Sequence, residues 1–161
     1  SHTGIGMPEY LLLFRKWEGD GKTPVPIRHY KTEEEAEKDG GDEKQVMDLE
    51  IWQRYASPVW FDIKRTDVLN CKSAKADKDE KHICPLQLEV IRRAVKLWSN
   101  PGEIVLTPFL GIGSEAYVSL QEGRKAIGIE LKPSYYQQAV NNCKNAVIED
   151  QVSLFEGIQE G

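Results

Sequence analysis

The sequence has few cysteines, no excess of positive charge and no long apolar run, and each shortage narrows the class of protein. Its 161 residues include only three widely spaced cysteines, which fits a reducing compartment better than a disulfide scaffold. No apolar run approaches the roughly 20 residues of a membrane span, and no secretory signal opens the chain. We therefore expect a cytoplasmic globular chain of one domain, with no membrane partner.

The charge balance is acidic, with a net charge of −5. A protein that binds DNA needs clustered Lys and Arg to neutralise phosphates, so this total disfavours a stand-alone DNA binder unless one cleft gathers the positive charge. The acidic run at 33–39 is typical of a solvated face, and His82 with Cys84 lacks the paired ligands of a zinc site. We expect no bound metal.

A strand, a glycine turn and a helix follow one another between residues 102 and 114. The apolar run at 104–106 predicts a buried parallel strand, and Ser114 is a candidate N-cap of the helix. A second apolar strand is predicted at 126–129, and it ends on Glu130. This order is typical of the nucleotide-binding half of a doubly wound α/β sheet.

The glycine turn and the acid after the second strand predict an adenosine site. Glycines 111 and 113 let a ligand approach the backbone, and the helix N-terminus offers unpaired N–H groups. Glu130 follows Gly111 by 130 − 111 = 19 positions, near the spacing of a carboxylate that accepts ribose hydroxyls. Ala116 replaces the third glycine of a dinucleotide fingerprint, which disfavours NAD without excluding it. A plain crossover whose glycines serve packing is the alternative.

The residues from 107 to 114, Thr-Pro-Phe-Leu-Gly-Ile-Gly-Ser, resemble a known cofactor motif. It is the Asp-Pro-Phe-x-Gly-x-Gly-Ser/Thr motif of DNA methyltransferases that methylate the exocyclic amino group of adenine (N6) or cytosine (N4). Residues 81–88 and 99–103 are similar to the segment that enters this motif in the circularly permuted, β-class-like members. Phage, prophage and restriction-modification methylases are the nearest likeness, and it is nearly continuous from 81 to 145.

Two further stretches extend the resemblance toward both ends. Residues 128–131 with Tyr135 look like the family's ribose-binding motif, and residues 7–16 resemble the strand that closes its catalytic half. The resemblance assigns residues 1–16 to that closing strand, 17–80 to a connecting and target-recognition segment, and 81–161 to the cofactor-binding half.

The resemblance implies a Rossmann-like methyltransferase fold with a partial doubly wound sheet. The implied cofactor is S-adenosylmethionine and the implied partner is double-stranded DNA, in a bacterial or phage-infected cell; a homodimer is compatible. The resemblance assigns cofactor binding to Thr107, Phe109, Gly111, Gly113, Ser114, Glu130, Leu131, His82, Cys84 and Pro85.

The sequence departs from the family pattern in two places. Thr107 stands where the family usually has Asp, so it carries no charge to face the methionine ammonium. The catalytic tetrapeptide Asp/Asn/Ser-Pro-Pro-Tyr/Phe/Trp is absent, and the Ser-Pro-Val-Trp at 57–60 lacks the second proline. In the permuted order the tetrapeptide would precede Ser1, so we expect a chain that lacks the catalytic half, has no catalytic residue and does not methylate DNA alone. An inactive DNA-binding remnant and a Rossmann enzyme acting on a small molecule are the alternatives.

Periodicity and turn signals predict the remaining elements. Strands are predicted at 10–14 (buried), 59–63 and 152–155, and helices at 48–55 and from Pro85 and Pro133 onward. The segment 33–39 is either a short exposed helix or disordered. The helix after Pro85 should bury Leu88, Ile91, Val95 and Trp98 and point Arg92, Arg93 and Lys96 outward, and the helix after Pro133 should bury Tyr136, Ala139, Val140 and Cys143. Trp52, Trp60 and Phe61 are core aromatics in the simpler interpretation and base-stacking groups in the other.

Overall fold

The computed structural model describes residues 9–14, 49–70 and 85–156, with side chains as far as 146. In chain order the elements are α1 (Leu49–Tyr55), α2 (Leu88–Trp98), β1 (Ile104–Thr107), α3 (Ser114–Gln121), β2 (Lys125–Gly128) and α4 (Pro133–Glu156). The helix or disordered segment expected at 33–39 and the segments 17–48 and 71–84 lie outside the described residues. Among the helices of the described part, none is long and apolar enough to cross a membrane.

The two strands form a parallel sheet with Ile104 opposite Lys125 and Thr107 opposite Gly128. The predicted strand–helix–strand order is therefore confirmed, with each strand displaced or extended by one residue. The prediction that the first strand is buried is wrong, because exposed and half-buried residues alternate along both strands. Helices cover one face of the sheet, while Ile104 and Leu106 on the other face are 60% and 64% exposed.

The helix-covered face holds the larger apolar core. Ile91 and Val95 of α2 contact Val118 of α3, and Val105 of β1 packs against this cluster. Helix α2 thus sits on α3, and α3 sits on both strands. Because Ile91 and Val95 lie four residues apart on one helical stripe, the predicted inner face of α2 is confirmed at these two positions.

Helix α4 packs against α3 at one very short approach. Gly113, just before α3, has a φ of +91°, and a Cβ there would lie 2.9 Å from the Cβ of Ala139. Ala139 and Ala116 belong to a second small core cluster with Leu110. The start of α4 at Pro133 is confirmed, whereas Tyr136 is 53% exposed rather than buried. The predicted third strand at 152–155 is wrong, because these residues belong to α4.

Helix α2 begins three residues later than predicted. Pro85 precedes the helix, Gln87 occupies the N-cap position, and the first helical residue is Leu88. The outward orientation predicted for Arg93 is also wrong, since this side chain is 1% exposed. Ion pairs with Glu89 of α2 and with Asp62 of the preceding stretch draw it inward. The spacing of apolar residues along α2 does not reveal these pairs.

Among the described residues ahead of α2, one helix is present and no sheet strand. Helix α1 agrees with the prediction for 48–55, but 59–63 is not part of a strand. The predicted buried strand at 10–14 is wrong as well, since Tyr10 and Phe14 are 82% and 85% exposed. These apolar segments have β propensity but no described neighbouring strand with which to pair.

Candidate functional site

The carboxyl ends of the two parallel strands lie side by side and lead into the glycine loop and into the segment that contains Glu130. Pairing continues past the strands, because the Ile129 N–H donates to the Thr107 oxygen at 3.0 Å and the Leu110 N–H donates to the Ile129 oxygen at 2.9 Å. The glycine loop after β1 and the acid after β2 are thereby held together. In open α/β sheets this edge is where ligands bind.

Glu130 faces the glycine loop. One carboxylate oxygen accepts the Gly111 N–H at 2.8 Å, and the other accepts the N–H of Lys132 at 2.8 Å. A carboxylate offers about four lone-pair positions, so each oxygen retains capacity for a hydroxyl donor. The acid that follows Gly111 by 19 positions is thus fixed in place beside the backbone of the loop.

The two glycines of the loop have different roles. Gly111 has a φ of +54° and nothing within 4 Å of where a Cβ would stand, so the space beside it is open to a ligand. Gly113, with its φ of +91°, is instead closed against Ala139 of α4. Gly111 therefore provides access, and Gly113 provides helix packing.

Two large apolar side chains flank this open space. Phe109 is 85% exposed and Leu131 is 94% exposed. Aromatic and aliphatic surface of this extent beside a polar loop is suited to covering a flat ring or an alkyl chain. Thr107 is half-buried at the end of β1, and its hydroxyl accepts the Phe109 N–H at a long 3.4 Å.

The predicted helix cap is displaced by one residue. Gly113 occupies the N-cap position with left-handed backbone, and Ser114 is the first residue of α3 and 4% exposed. Ser114 therefore packs inside the protein rather than capping the helix. Glu115 follows in the first turn, where burial raises the pKa of its carboxyl.

The predicted pocket wall is described only at its last residue. Pro85 is half-buried, and His82 and Cys84 lie outside the described residues. Within the part of the chain that the structure describes, no three His, Cys, Asp or Glu side chains are grouped to hold a metal ion.

Two contacts near the site were not predicted. The Asn142 side-chain amide of α4 donates to the Ile112 oxygen at 2.8 Å, across 30 positions of sequence. The Lys132 ammonium lies 4.4 Å from the ring centroid of Tyr135, within cation–π range. Asn142 carries no local sequence signal, because its partner is a backbone carbonyl on a distant loop.

A separate apolar groove of about 680 Å³ lies between α3, α4 and β2. Leu110, Ala126 and Gly128 line it together with Tyr136 and Cys143. Neither Phe109 nor Glu130 is among its lining residues, so it is distinct from the open space beside the glycine loop.

Comparisons with known proteins identify related sequences. The sequence profile of the N6/N4 methyltransferase family, described as DNA methylase, matches residues 6–141. The type II methyltransferase M.Cfr9I of Citrobacter freundii is 42% identical over 63 residues, which cover 39% of this chain and 21% of the relative. The type II methyltransferase M.MthZI of Methanothermobacter thermautotrophicus is 31% identical over 131 residues, which cover 79% of this chain and 32% of the relative.

A solved structure supports the fold class. It is described as a DNA modification methylase from Thermus thermophilus complexed with S-adenosyl-L-methionine, with a TM-score of 0.52 and 28% sequence identity. The match covers 79% of this chain and 40% of that one. The chain thus spans between a fifth and two fifths of the length of these relatives.

The profile match extends over most of the chain, from before the described segment 9–14 to the middle of α4. The solved neighbour shares the α/β fold of this chain. The Rossmann-like methyltransferase fold predicted from the sequence is therefore confirmed, and the chain belongs to the N6/N4 DNA methylase family.

Proposed function

We propose that this chain forms the cofactor-binding part of an S-adenosylmethionine-dependent methyltransferase that acts on an exocyclic amino group of adenine or cytosine in double-stranded DNA. The observation that carries the proposal is the Glu130 carboxylate, fixed beside the open backbone of Gly111. Family membership and the solved complex of the Thermus neighbour with S-adenosyl-L-methionine support the choice of ligand.

The residues of the loop fit this cofactor. Glu130 accepts hydrogen bonds from the ribose hydroxyls with its remaining lone pairs, while the two backbone N–H groups that hold its carboxylate keep it oriented. Phe109 and Leu131 cover the adenosyl group, and the open side of Gly111 admits it to the backbone. Thr107 faces the methionine part with a hydroxyl where an acid would add charge, so affinity rests on the ribose and adenine contacts.

The bound cofactor supplies an electrophilic sulfonium methyl group. The role of this chain is to bind and orient the cofactor. Holding the methyl carbon in line with the attacking amino nitrogen contributes much of the rate enhancement in a displacement reaction. The base is extruded from the duplex to reach it. Residues 17–80 are proposed to contribute to target recognition, and residues 81–161 to hold the cofactor.

We also propose the circularly permuted order of motifs and no catalytic residue within these 161 residues. The stretch at 7–16 that resembles the closing strand of the catalytic half precedes the cofactor motif. The sequence contains no Pro-Pro pair, which the family's catalytic tetrapeptide requires. The 161-residue polypeptide alone is therefore expected to transfer no tritiated methyl group to duplex DNA. Measurable turnover would contradict this part of the proposal.

Calorimetric titration with S-adenosylhomocysteine tests the cofactor site. We expect Glu130→Gln, which preserves size and removes the charge, to weaken binding by about ten- to a hundredfold, since a charge-assisted hydrogen bond contributes about 1.5–3 kcal/mol. Glu103→Gln at the opposite end of β1 is the matched control and should bind as the wild type does. No heat with the wild type, or equal affinity of the two variants, would refute the proposed site.

A further inference from the structure

The stretch 54–67 is fastened to α2 at the first turn of that helix. The Asp67 backbone oxygen accepts the Leu88 N–H at 2.8 Å, and its carboxylate accepts the Glu89 N–H at 3.2 Å. Gln87, which occupies the N-cap position, makes no side-chain cap hydrogen bond. The cap of α2 is thus a tertiary contact, supplied from 22 positions earlier in the chain.

Arg93 makes a second and more deeply buried attachment. Its side chain is 1% exposed, yet it carries a full charge. Nη2 donates to the Asp62 carboxylate at 2.8 Å, and Nε donates to the Glu89 carboxylate at 2.9 Å. Arg54 donates to the same Asp62 oxygen, so one carboxylate joins an arginine of each segment. A buried charge is tolerated only when it is paired in this way.

Two aromatic rings complete the surroundings of Arg93. The guanidinium carbon lies 5.0 Å from the ring centroid of Tyr55 and 5.3 Å from that of Trp60, within the range of cation–π attraction. The Trp60 indole N–H donates to the Tyr55 oxygen at 2.9 Å, which fixes its ring. The Nη1 atom of Arg93 is buried and has no hydrogen-bond partner among the described residues. The cation–π attraction of the two rings offsets part of the cost of its desolvation.

Helix α2 links this cluster to the cofactor loop. Arg92 and Lys96, on the neighbouring face of α2, pair with Glu122 at the end of α3 at 2.9 and 3.0 Å. Ile91 and Val95 pack against Val118 in the middle of α3. Helix α3 begins at Ser114, directly after the glycine loop. Continuous packing therefore runs from Trp60 to the loop, and close-packed elements transmit displacement.

We propose that Arg93 is a positioning residue that holds the target-recognition stretch 54–67 in a fixed place relative to the cofactor loop, so that cofactor binding alters the environment of Trp60. The inference rests on the proposed function, which supplies the ligand of the loop and the role of the stretch. The inference goes beyond the proposed function because it assigns the coupling to one buried side chain, Arg93, which is proposed to touch neither the cofactor nor the DNA. Arg93 merely stabilising the fold is the competing explanation, and it predicts no cofactor-dependent signal at Trp60.

Tryptophan emission during titration with S-adenosylhomocysteine distinguishes the two explanations. Four tryptophans are present, so each spectrum is compared with that of the same protein carrying Trp60→Phe, and the difference belongs to Trp60. The variants are Arg93→Met, Arg93→Lys and the matched control Arg124→Met, which removes a half-buried arginine that donates to Ser99 and the Glu122 backbone oxygen and not to 54–67. Lysine preserves the charge but not the planar, two-sided contact of the guanidinium.

We expect the ligand to change the Trp60 emission in the wild type and in Arg124→Met, and to leave it unchanged in Arg93→Met. Ligand affinity of Arg93→Met should stay within about twofold of the wild type, because distant sites contribute almost additively. Arg93→Lys should retain only part of the response. A full response in Arg93→Met, or ligand binding by the wild type without any Trp60 response, overturns the proposal.

Failure of the proposed function is seen separately, as absence of ligand binding by the wild type. In that case amide hydrogen exchange without ligand tests whether Arg93 positions 54–67, because the exchange rate of a segment reports how often that segment opens. Faster exchange of 54–67 in Arg93→Lys than in the wild type, with unchanged exchange in β1, supports positioning by Arg93. Unchanged exchange of 54–67 overturns it. The lysine variant also serves if Arg93→Met does not fold.

Discussion

Gly113 offers the sharpest test of how the cofactor loop is built. Its φ of +91° lies in the left-handed region, where an L side chain costs about 1–2 kcal/mol. In Gly113→Ala the new Cβ would also lie 2.9 Å from the Cβ and 3.0 Å from the Cα of Ala139. Ala139 is 1% exposed and backbone atoms cannot turn aside, so overpacking adds about 1–3 kcal/mol. Strain and overpacking together should lower the free energy of unfolding by roughly 2–5 kcal/mol, before the smaller opposing effect on the unfolded chain.

Two other glycines separate backbone strain from collision. Gly111 and Gly123 have positive φ of +54° and +71°, but a Cβ at either would meet nothing within 4 Å. Gly111→Ala and Gly123→Ala therefore cost only the strain of about 1–2 kcal/mol. All three substitutions reduce the entropy of the unfolded chain equally, by about 0.4–1 kcal/mol, so this contribution cancels between them.

Urea unfolding followed by far-UV circular dichroism measures the three variants against the wild type. Gly113→Ala should be less stable than Gly123→Ala by about 1–3 kcal/mol with an unchanged dependence on urea. Adding Ala139→Gly should recover part of that difference, because it removes the colliding Cβ. Equal stability of Gly113→Ala and Gly123→Ala would refute the close approach of α4 to the loop.

Three further predictions concern titratable groups. Arg93 and Arg54 hold the pKa of Asp62 well below its usual range, so the stability that this pairing contributes is present above the unfolded pKa of about 3.9 and is lost as pH falls through the folded pKa. The acid midpoint of Trp60 emission should therefore lie at higher pH in Asp62→Asn than in the wild type, and an unchanged midpoint would contradict the pairing. Burial raises the pKa of Glu115, so its ionised form destabilises the fold at neutral pH and this destabilisation is lost as pH falls. At pH 7 the urea midpoint of Glu115→Gln should equal or exceed that of the wild type; a lower midpoint would contradict the burial. Burial also raises the pKa of Cys143, so in a Cys71→Ser, Cys84→Ser background iodoacetamide should label it about tenfold more slowly than free cysteine at pH 8; an equal rate would contradict its burial.

The exposed face of the sheet shows that an apolar run does not by itself establish burial on both faces. An unbroken apolar run predicts a strand buried on both faces, yet Ile104 and Leu106 are 60% and 64% exposed. The run of apolar residues at 10–14 misled in the same way. An apolar segment is stabilised by burial, but its own residues do not show whether another element packs over it.

The buried position of Arg93 illustrates a different limit. A helical wheel places it beside Arg92 on an outward face, and nothing within α2 distinguishes the two. Asp62, 31 positions away, and the rings of Tyr55 and Trp60 draw it inside. The start of α2 at Leu88 rather than at Pro85 has a similar cause. Asp67 caps the helix from 22 positions earlier in the chain, and residues near Pro85 do not show this contact.

The sequence by itself determined the strand, glycine loop, helix and second strand, the position of Glu130 and the family to which they belong. These depend on local backbone preferences and on short spacings, which act within a few residues or across one crossover. Only the tertiary structure decided that Glu130 accepts the Gly111 N–H, that Gly113 is closed against Ala139 and that Arg93 is buried. Each of these depends on which distant groups packing brings within a few ångströms, and that choice is made by the whole chain.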